Sequence, residues 1–114
     1  MADMTSGELA EKQLLAYNAR NLEEFLACYS SDVEVYEFPS VLTYKGKDKM
    51  RERYSKRFRE AENLHCTIVN RITMGNYAID QESVRGIEVG KEVSVCAIYY
   101  VEKNLISKVW FMRP

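Results

Sequence analysis

The segment DVEVYEFPS, residues 32 to 40, ends a row of valines with an acid. Side chains along a strand alternate between faces, so Val33, Val35 and Glu37 point one way and Glu34, Tyr36 and Phe38 the other. The valines mark the inward side, and the Glu37 carboxylate goes with them. A carboxylate taken out of water must be paired, protonated or used. Burial would raise its pKa above about 4.3 toward neutrality, where it can take a proton from a carbon beside a carbonyl or activate a water. The same carboxylate could instead pair with Arg53 or Arg57 at a pocket mouth, and residue type alone leaves both readings open.

The other groups able to do chemistry are three cysteines and one histidine. Cys28, Cys66 and Cys96 are odd in number, widely spaced and form no C-x-x-C pair, which argues for reduced core thiols rather than a disulfide framework. With His65 they match a Cys3His zinc set in count. His65 and Cys66 are neighbours in a strand-like run and face opposite ways, and no pair has finger-like spacing. No metal and no cofactor is expected. The 16 basic and 17 acidic residues nearly cancel, so no field would recruit nucleic acid or an anionic membrane. The first stretch, MADMTSGELAEK, is polar, and apolar runs are only a few residues long. Neither a signal peptide nor a membrane span is expected, and a cytoplasmic location follows as the expectation.

These residues need elements to position them. Residues 6 to 19 open with Ser6, carry Glu8 and Glu11 in the first turns, and repeat Ala10, Leu14 and Tyr17 at helical spacing. Asn21 caps a second helix with Glu24 three places on, and Leu22, Phe25, Leu26 and Tyr29 form its buried face. The strand around Glu37 follows, Pro39 breaks it, and a loop leads to Lys45-Gly46-Lys47. From Asp48 a third amphipathic helix puts Met50, Tyr54, Phe58 and Ala61 on one face. From His65 the period changes to two, with reversals at Gly75-Asn76, Gly90 and Lys103-Asn104. Helices segregated from strands predict a single α+β domain over residues 1 to 114, with helices on one face of an antiparallel sheet.

Four runs carry a family resemblance: LLAYNARNLEEFLACYSSDVEVYEFP, YKGKDKMRERYSKRF, LHCTIVNRITMGNYAIDQESV and IYYVEKNLISKVWFM. From about Leu9 to Arg113 the chain resembles the nuclear transport factor 2-like superfamily, and within it the small SnoaL-like, steroid delta-isomerase-like proteins. The resemblance implies a cystatin-like fold: a curved sheet wrapped around helices into a cone, with a pocket between them, and a homodimer. It implies no single activity. Matched to the ketosteroid isomerases, Glu37 falls at the catalytic aspartate base and Tyr17 at the oxyanion-hole tyrosine. The protonated aspartate of that hole is approached here by Cys96, a poor donor. Loss of such a donor costs on the order of 3 kcal/mol, so authentic steroid isomerisation is not expected.

Two-residue turns sort the sheet into faces. Around Gly75-Asn76 they pair Met74 with Tyr77, Ile72 with Ile79, Asn70 with Gln81 and Ile68 with Ser83; continued, that face gathers Cys96, Ile98, Val109 and Phe111. Taken as the inner face, it joins Leu14, Tyr17, Val35, Glu37, Tyr54 and Phe58 around a mostly apolar cavity. Tyr54, Phe58, Asn70, Gln81, Cys96, Ile98 and Phe111 would bind substrate, with Asn70 and Gln81 either orienting a ligand or bonding to each other. The opposite face carries Arg71, Asp80, Val69, Glu82, Tyr99 and Trp110 and would be covered by a second copy, with Arg71 and Asp80 at the interface or simply paired across strands. The expectation is a pocket protein for a small apolar or carbonyl-bearing ligand. Acid/base catalysis is one reading, and a non-catalytic binding or scaffold dimer the other.

Overall fold

The computed structural model describes residues 3–114. Helix α1, Ser6–Asn18, is capped by Thr5, not by Ser6: the Thr5 side chain accepts from the Glu8 amide while the Glu8 side chain accepts from the Thr5 amide. Asn21 caps α2, Leu22–Leu26, by accepting from the Glu24 amide. Helix α2 is one short turn, so Tyr29 opens strand β1, Tyr29–Glu37, instead of lying on the helix. The segment after Pro39, expected as a loop, contains β2, Val41–Lys45. Helix α3 spans Lys47–Glu60, and strands β3 to β6 follow over His65–Met74, Tyr77–Arg85, Glu92–Glu102 and Leu105–Met112.

The three helices pack on one curved six-stranded sheet of order β2-β1-β6-β5-β4-β3. All neighbouring pairs are antiparallel except β1 with β6, which run parallel in the middle of the sheet. That pairing is possible because the whole of the chain between the two strands intervenes as a crossover. Helix α1 lies against the sheet from β3 to β6, α3 lies against β1 and β2, and α2 bridges the two helices. Phe25 is 1% exposed at their meeting point, with the rings of Tyr17, Tyr29, Tyr54 and Phe58 around it at centroid distances of 4.6 to 6.1 Å. Among the described residues no helix is long and apolar enough to cross a membrane.

Two one-residue bulges change which side chains of β3 and β6 face the helices. On β3, Ile68 pairs with Glu82 and Asn70 with Gln81, leaving Val69 as the extra residue. On β6, Ile106 pairs with Val101 and Lys108 with Tyr100, leaving Ser107 extra. Each bulge shifts every residue beyond it by one place and so exchanges the faces. The concave face therefore carries Ala78, Asp80, Glu82 and Val84 from β4, Val95, Ala97, Tyr99 and Val101 from β5, and Ile106, Val109 and Phe111 from β6. The convex face carries most of the row that simple alternation had placed inside, Asn70, Ile72, Ile79, Gln81, Cys96 and Ile98, while Val109 and Phe111 are concave as expected.

The β4–β5 connection closes against the end of α3. Gly86 has φ +91°, and a Cβ there would stand 2.3 Å from the Asn63 carbonyl oxygen. Both features demand glycine: the backbone lies in the left-handed region, and the neighbour is main chain that cannot rotate away. Gly86→Ala should destabilise the fold by at least about 2 kcal/mol in chemical denaturation, and an unchanged midpoint would show that this loop is not fixed as described.

Candidate functional site

A cavity of about 140 Å³ lies between the concave face and the helices. Its inner wall is Gln13, Leu14 and Tyr17 from α1, Phe25, Tyr29 and Val35, Cys66 from β3, Glu82 and Val84 from β4, and Val95 and Tyr99 from β5. Its mouth is formed by exposed or half-exposed Glu37, Thr43, Arg53, Arg57, Ile87 and Arg113. A cavity of this size compares with an engineered apolar cavity of about 150 Å³ that holds benzene, so it suits a ligand of roughly that bulk inside, with any further groups at the mouth.

A directed hydrogen-bond chain crosses the inner wall. Gln13 Nε2 donates to the Ala10 carbonyl at 3.0 Å and to the Tyr99 hydroxyl at 3.1 Å. A carbonyl can only accept, so the amide end of Gln13 is oriented unambiguously. Its Oε1 accepts from the Tyr29 hydroxyl at 3.0 Å, and Tyr99, with its oxygen already accepting, gives its own proton to Glu82 Oε2 at 3.3 Å. The chain runs one way and ends on the carboxylate. Gln13 is 4% exposed and Glu82 7% exposed, so the network is sheltered from bulk water.

Glu82 has a carboxylate neighbour and, among the described residues, no ion-pair partner of its own. Asp80, two residues away on the same face, is fully buried and held by Arg71, whose Nε and Nη2 reach its two oxygens at 2.6 and 3.0 Å. Arg71 also reaches Glu11 on α1 at 2.9 Å. Burial pushes the Glu82 carboxyl up to about 7, the Asp80 charge adds to the rise, and the Tyr99 hydroxyl, the Arg71 charge and the Cys66 thiol oppose it. Burial likewise holds the Tyr17, Tyr29, Tyr44, Tyr54, Tyr99 and Cys66 protons on, so these groups are neutral donors. The Tyr44 hydroxyl is sealed from solvent and has no hydrogen-bond partner among the described residues. Unpaired buried donors are rare in folded proteins, and one beside a cavity marks a group available to a ligand.

The sequence-derived residues separate into three places. Tyr17, Tyr54, Phe111 and Glu37 do line the cavity, and Phe58 stands behind Tyr17 in the aromatic core at 5.6 Å. Glu37 points inward as the valine row required, but it sits at the mouth, half-exposed, and pairs with Arg113 at 3.1 Å instead of Arg53 or Arg57. Asn70, Gln81, Cys96 and Ile98 are on the convex face and do not touch the cavity; the Ser107 bulge separates Cys96 and Ile98 from Val109 and Phe111, with which they had been grouped. Asp80 and Tyr99, expected on an outer interface, are buried under the helices, and Arg71 pairs with Asp80 there. Of that set Trp110 faces outward, stacked on Tyr36 at 5.7 Å, and Val69 is exposed at its bulge.

Gln13, Tyr29, Tyr44 and Glu82 are the site residues that alternation missed. Gln13 had a visible signal, since it interrupts the stripe of Leu9, Ala10, Leu14 and Tyr17 on α1. Glu82 had one too: small apolar residues Ala78, Val84, Val95 and Ala97 share its face, and small residues suit a surface covered by a helix.

The fold agrees with known proteins. The sequence profile of the family described as SnoaL-like domain matches residues 10–109. The chain belongs to this family. Among solved structures it is similar to a cystatin-fold protein from Novosphingobium aromaticivorans, 23% identical with TM-score 0.87, covering 96% of this chain and 99% of that one. It is similar to a nuclear transport factor 2-like protein from Cytophaga hutchinsonii, 14% identical with TM-score 0.81, over 99% and 93% of the two chains. A LEH-like epoxide hydrolase from M. tuberculosis is 13% identical with TM-score 0.80, over 96% and 82%. At these identities the likeness is one of fold. No match was found among curated proteins.

The Glu82 shift is also a stability statement. An unfolded glutamate releases its proton near 4.5 and the folded one near 7. Between those values the folded state binds more protons, so this residue's contribution falls as pH rises through that window, by on the order of 3 kcal/mol in all, and is level above it. Urea denaturation of the protein and of Glu82→Gln across that range should show the wild type losing ground to the variant as pH rises. A difference independent of pH would contradict the shift.

Proposed function

We propose that this SnoaL-like protein binds a small, largely apolar carbonyl compound and moves a proton on it, with Glu82 as the acid/base group. The observation that supports this most is a cavity-lining carboxyl with no paired cation, near neutrality, at the end of a one-way hydrogen-bond chain. A carboxyl with its pKa near the working pH can both take and return a proton, which is what enolisation or isomerisation requires. Glu82 would remove a proton from the carbon beside the carbonyl, and the enolate oxygen formed would be met by neutral tyrosine hydroxyls such as Tyr44 and Tyr54. Return of the proton from Glu82 to a second carbon would complete an isomerisation without net change of atoms. Every group in this sequence is supplied by the chain itself.

Glu37 is less suited to that role because Arg113 already neutralises it at the mouth. In D2O, small cyclic ketones of benzene-like size should exchange their α-hydrogens faster with the protein than without it, read by proton NMR. Glu82→Gln should slow that exchange at least about 100-fold, while Glu37→Gln should leave it within a few-fold. The opposite ranking would return the role to Glu37. Binding without exchange would favour the second reading, a non-catalytic ligand binder, which the same cavity supports.

The convex face supports a homodimer. Ile72, Met74 and Tyr77 are 52%, 74% and 43% exposed there, beside Ile79, Ile98, Tyr100 and Trp110. A second copy of the same face would cover this apolar surface through a two-fold contact. Trp110→Glu should then convert a dimer into a monomer in sedimentation velocity; a wild type that sediments as a monomer at all concentrations would refute the contact.

A further inference from the structure

The mouth of the cavity has a charge that the proposed chemistry does not use. Arg53 and Arg57 stand one turn apart on α3 and both line the cavity. The Arg53 guanidinium lies over the Tyr44 ring at 4.7 Å from its centroid, and that of Arg57 over the Tyr54 ring at 5.6 Å. Stacking of this kind holds the planar groups at the rim instead of letting them extend into solvent. Three other arginines have carboxylates: Arg51 pairs with Glu23, Arg71 with Asp80 and Glu11, and Arg113, also at the mouth, with Glu37. Among the described residues no carboxylate lies within the 4.0 Å of an ion pair from either Arg53 or Arg57.

Two like charges four residues apart on a helix repel each other, so the arrangement carries a small cost that an anion between them would relieve. The one acid at the mouth, Glu37, is already matched by Arg113, which leaves both guanidiniums over. Guanidinium groups bind carboxylates through paired, charge-assisted hydrogen bonds. Their stacking partners belong to the cavity wall, and the Tyr44 hydroxyl beneath has no hydrogen-bond partner among the described residues.

We infer that the ligand is a small carboxylate, its charged end held by Arg53 and Arg57 at the mouth and its apolar, carbonyl-bearing body in the cavity toward Glu82. The inference rests on the pocket reading above and narrows it to compact keto acids or their ring analogues. The opposing charges set the orientation: the carboxylate would stay at the cationic rim, away from Glu82 and Asp80 deeper in the fold.

Benzoate and benzamide test this, because they share size and shape and differ in charge. Titration calorimetry, with NMR shifts reporting the cavity tyrosines, should show benzoate binding at least about tenfold more tightly than benzamide. The double variant Arg53→Gln, Arg57→Gln should remove that preference, so that benzoate and benzamide bind it equally. Raising the ionic strength of the wild-type solution should weaken benzoate selectively, which checks the same point without any variant. Equal binding of the two compounds in the cavity would overturn the carboxylate inference and leave the pocket reading standing. Binding of neither would overturn both.

Discussion

Two carboxylates stand side by side on the concave face of β4, and only one of them has a cation. Asp80 is enclosed between the sheet and α1 because Arg71 reaches both its oxygens and is itself tied to Glu11 on the helix above. Removing one partner from such an arrangement leaves a buried charge, which is strongly destabilising. Glu82, two residues further along, receives the Tyr99 hydroxyl and, among the described residues, no cation. Its proton is therefore held up to about 7. The difference between the two neighbouring carboxyls follows from which of them Arg71 reaches.

The cavity persists because its lining is divided between rigid and polar parts. Phe25, Tyr17, Tyr54 and Phe58 interlock as tilted and edge-on rings, an arrangement that packs well without filling the space beside the sheet. On the other side, the small side chains Ala97 and Val95 keep the floor low, and Tyr99 and Gln13 spend their hydrogen-bonding groups on each other and on Glu82. A cone with larger residues at these places would have been a filled scaffold. Instead the fold sets a chamber walled by aromatic, aliphatic and polar side chains, with the Glu82 carboxyl inside it and guanidinium groups at its entrance.

Much of the architecture could be read from residues alone. The Asn21 cap, the amphipathic third helix, the Gly75-Asn76 hairpin and the four runs shared with SnoaL-like proteins led to the right elements and the right family. The pairing of Asn70 with Gln81 and of Arg71 with Asp80 was also legible. What failed was the choice of face. Ile72 and Ile79 are more apolar than Asp80 and Glu82, so the hydrophobic rule put the wrong row inside. Ser107 and Val69 bear no mark of the bulges they form, because a bulge needs only one unpaired residue and no special side chain. The buried acids became legible only when their partners on α1 and β5 were brought beside them, which alternation within a strand cannot do.

The claim on which all of this depends is that Glu82 keeps its proton near neutrality inside the fold. A carbon-13 NMR titration of the glutamate side-chain carboxyls, with Glu82 assigned by its loss in Glu82→Gln, measures that directly. A midpoint near 7 is the result expected from the structure. A midpoint in the ordinary glutamate range near 4.5 would mean that water or a cation reaches this carboxyl, and the proposed acid/base role would be lost.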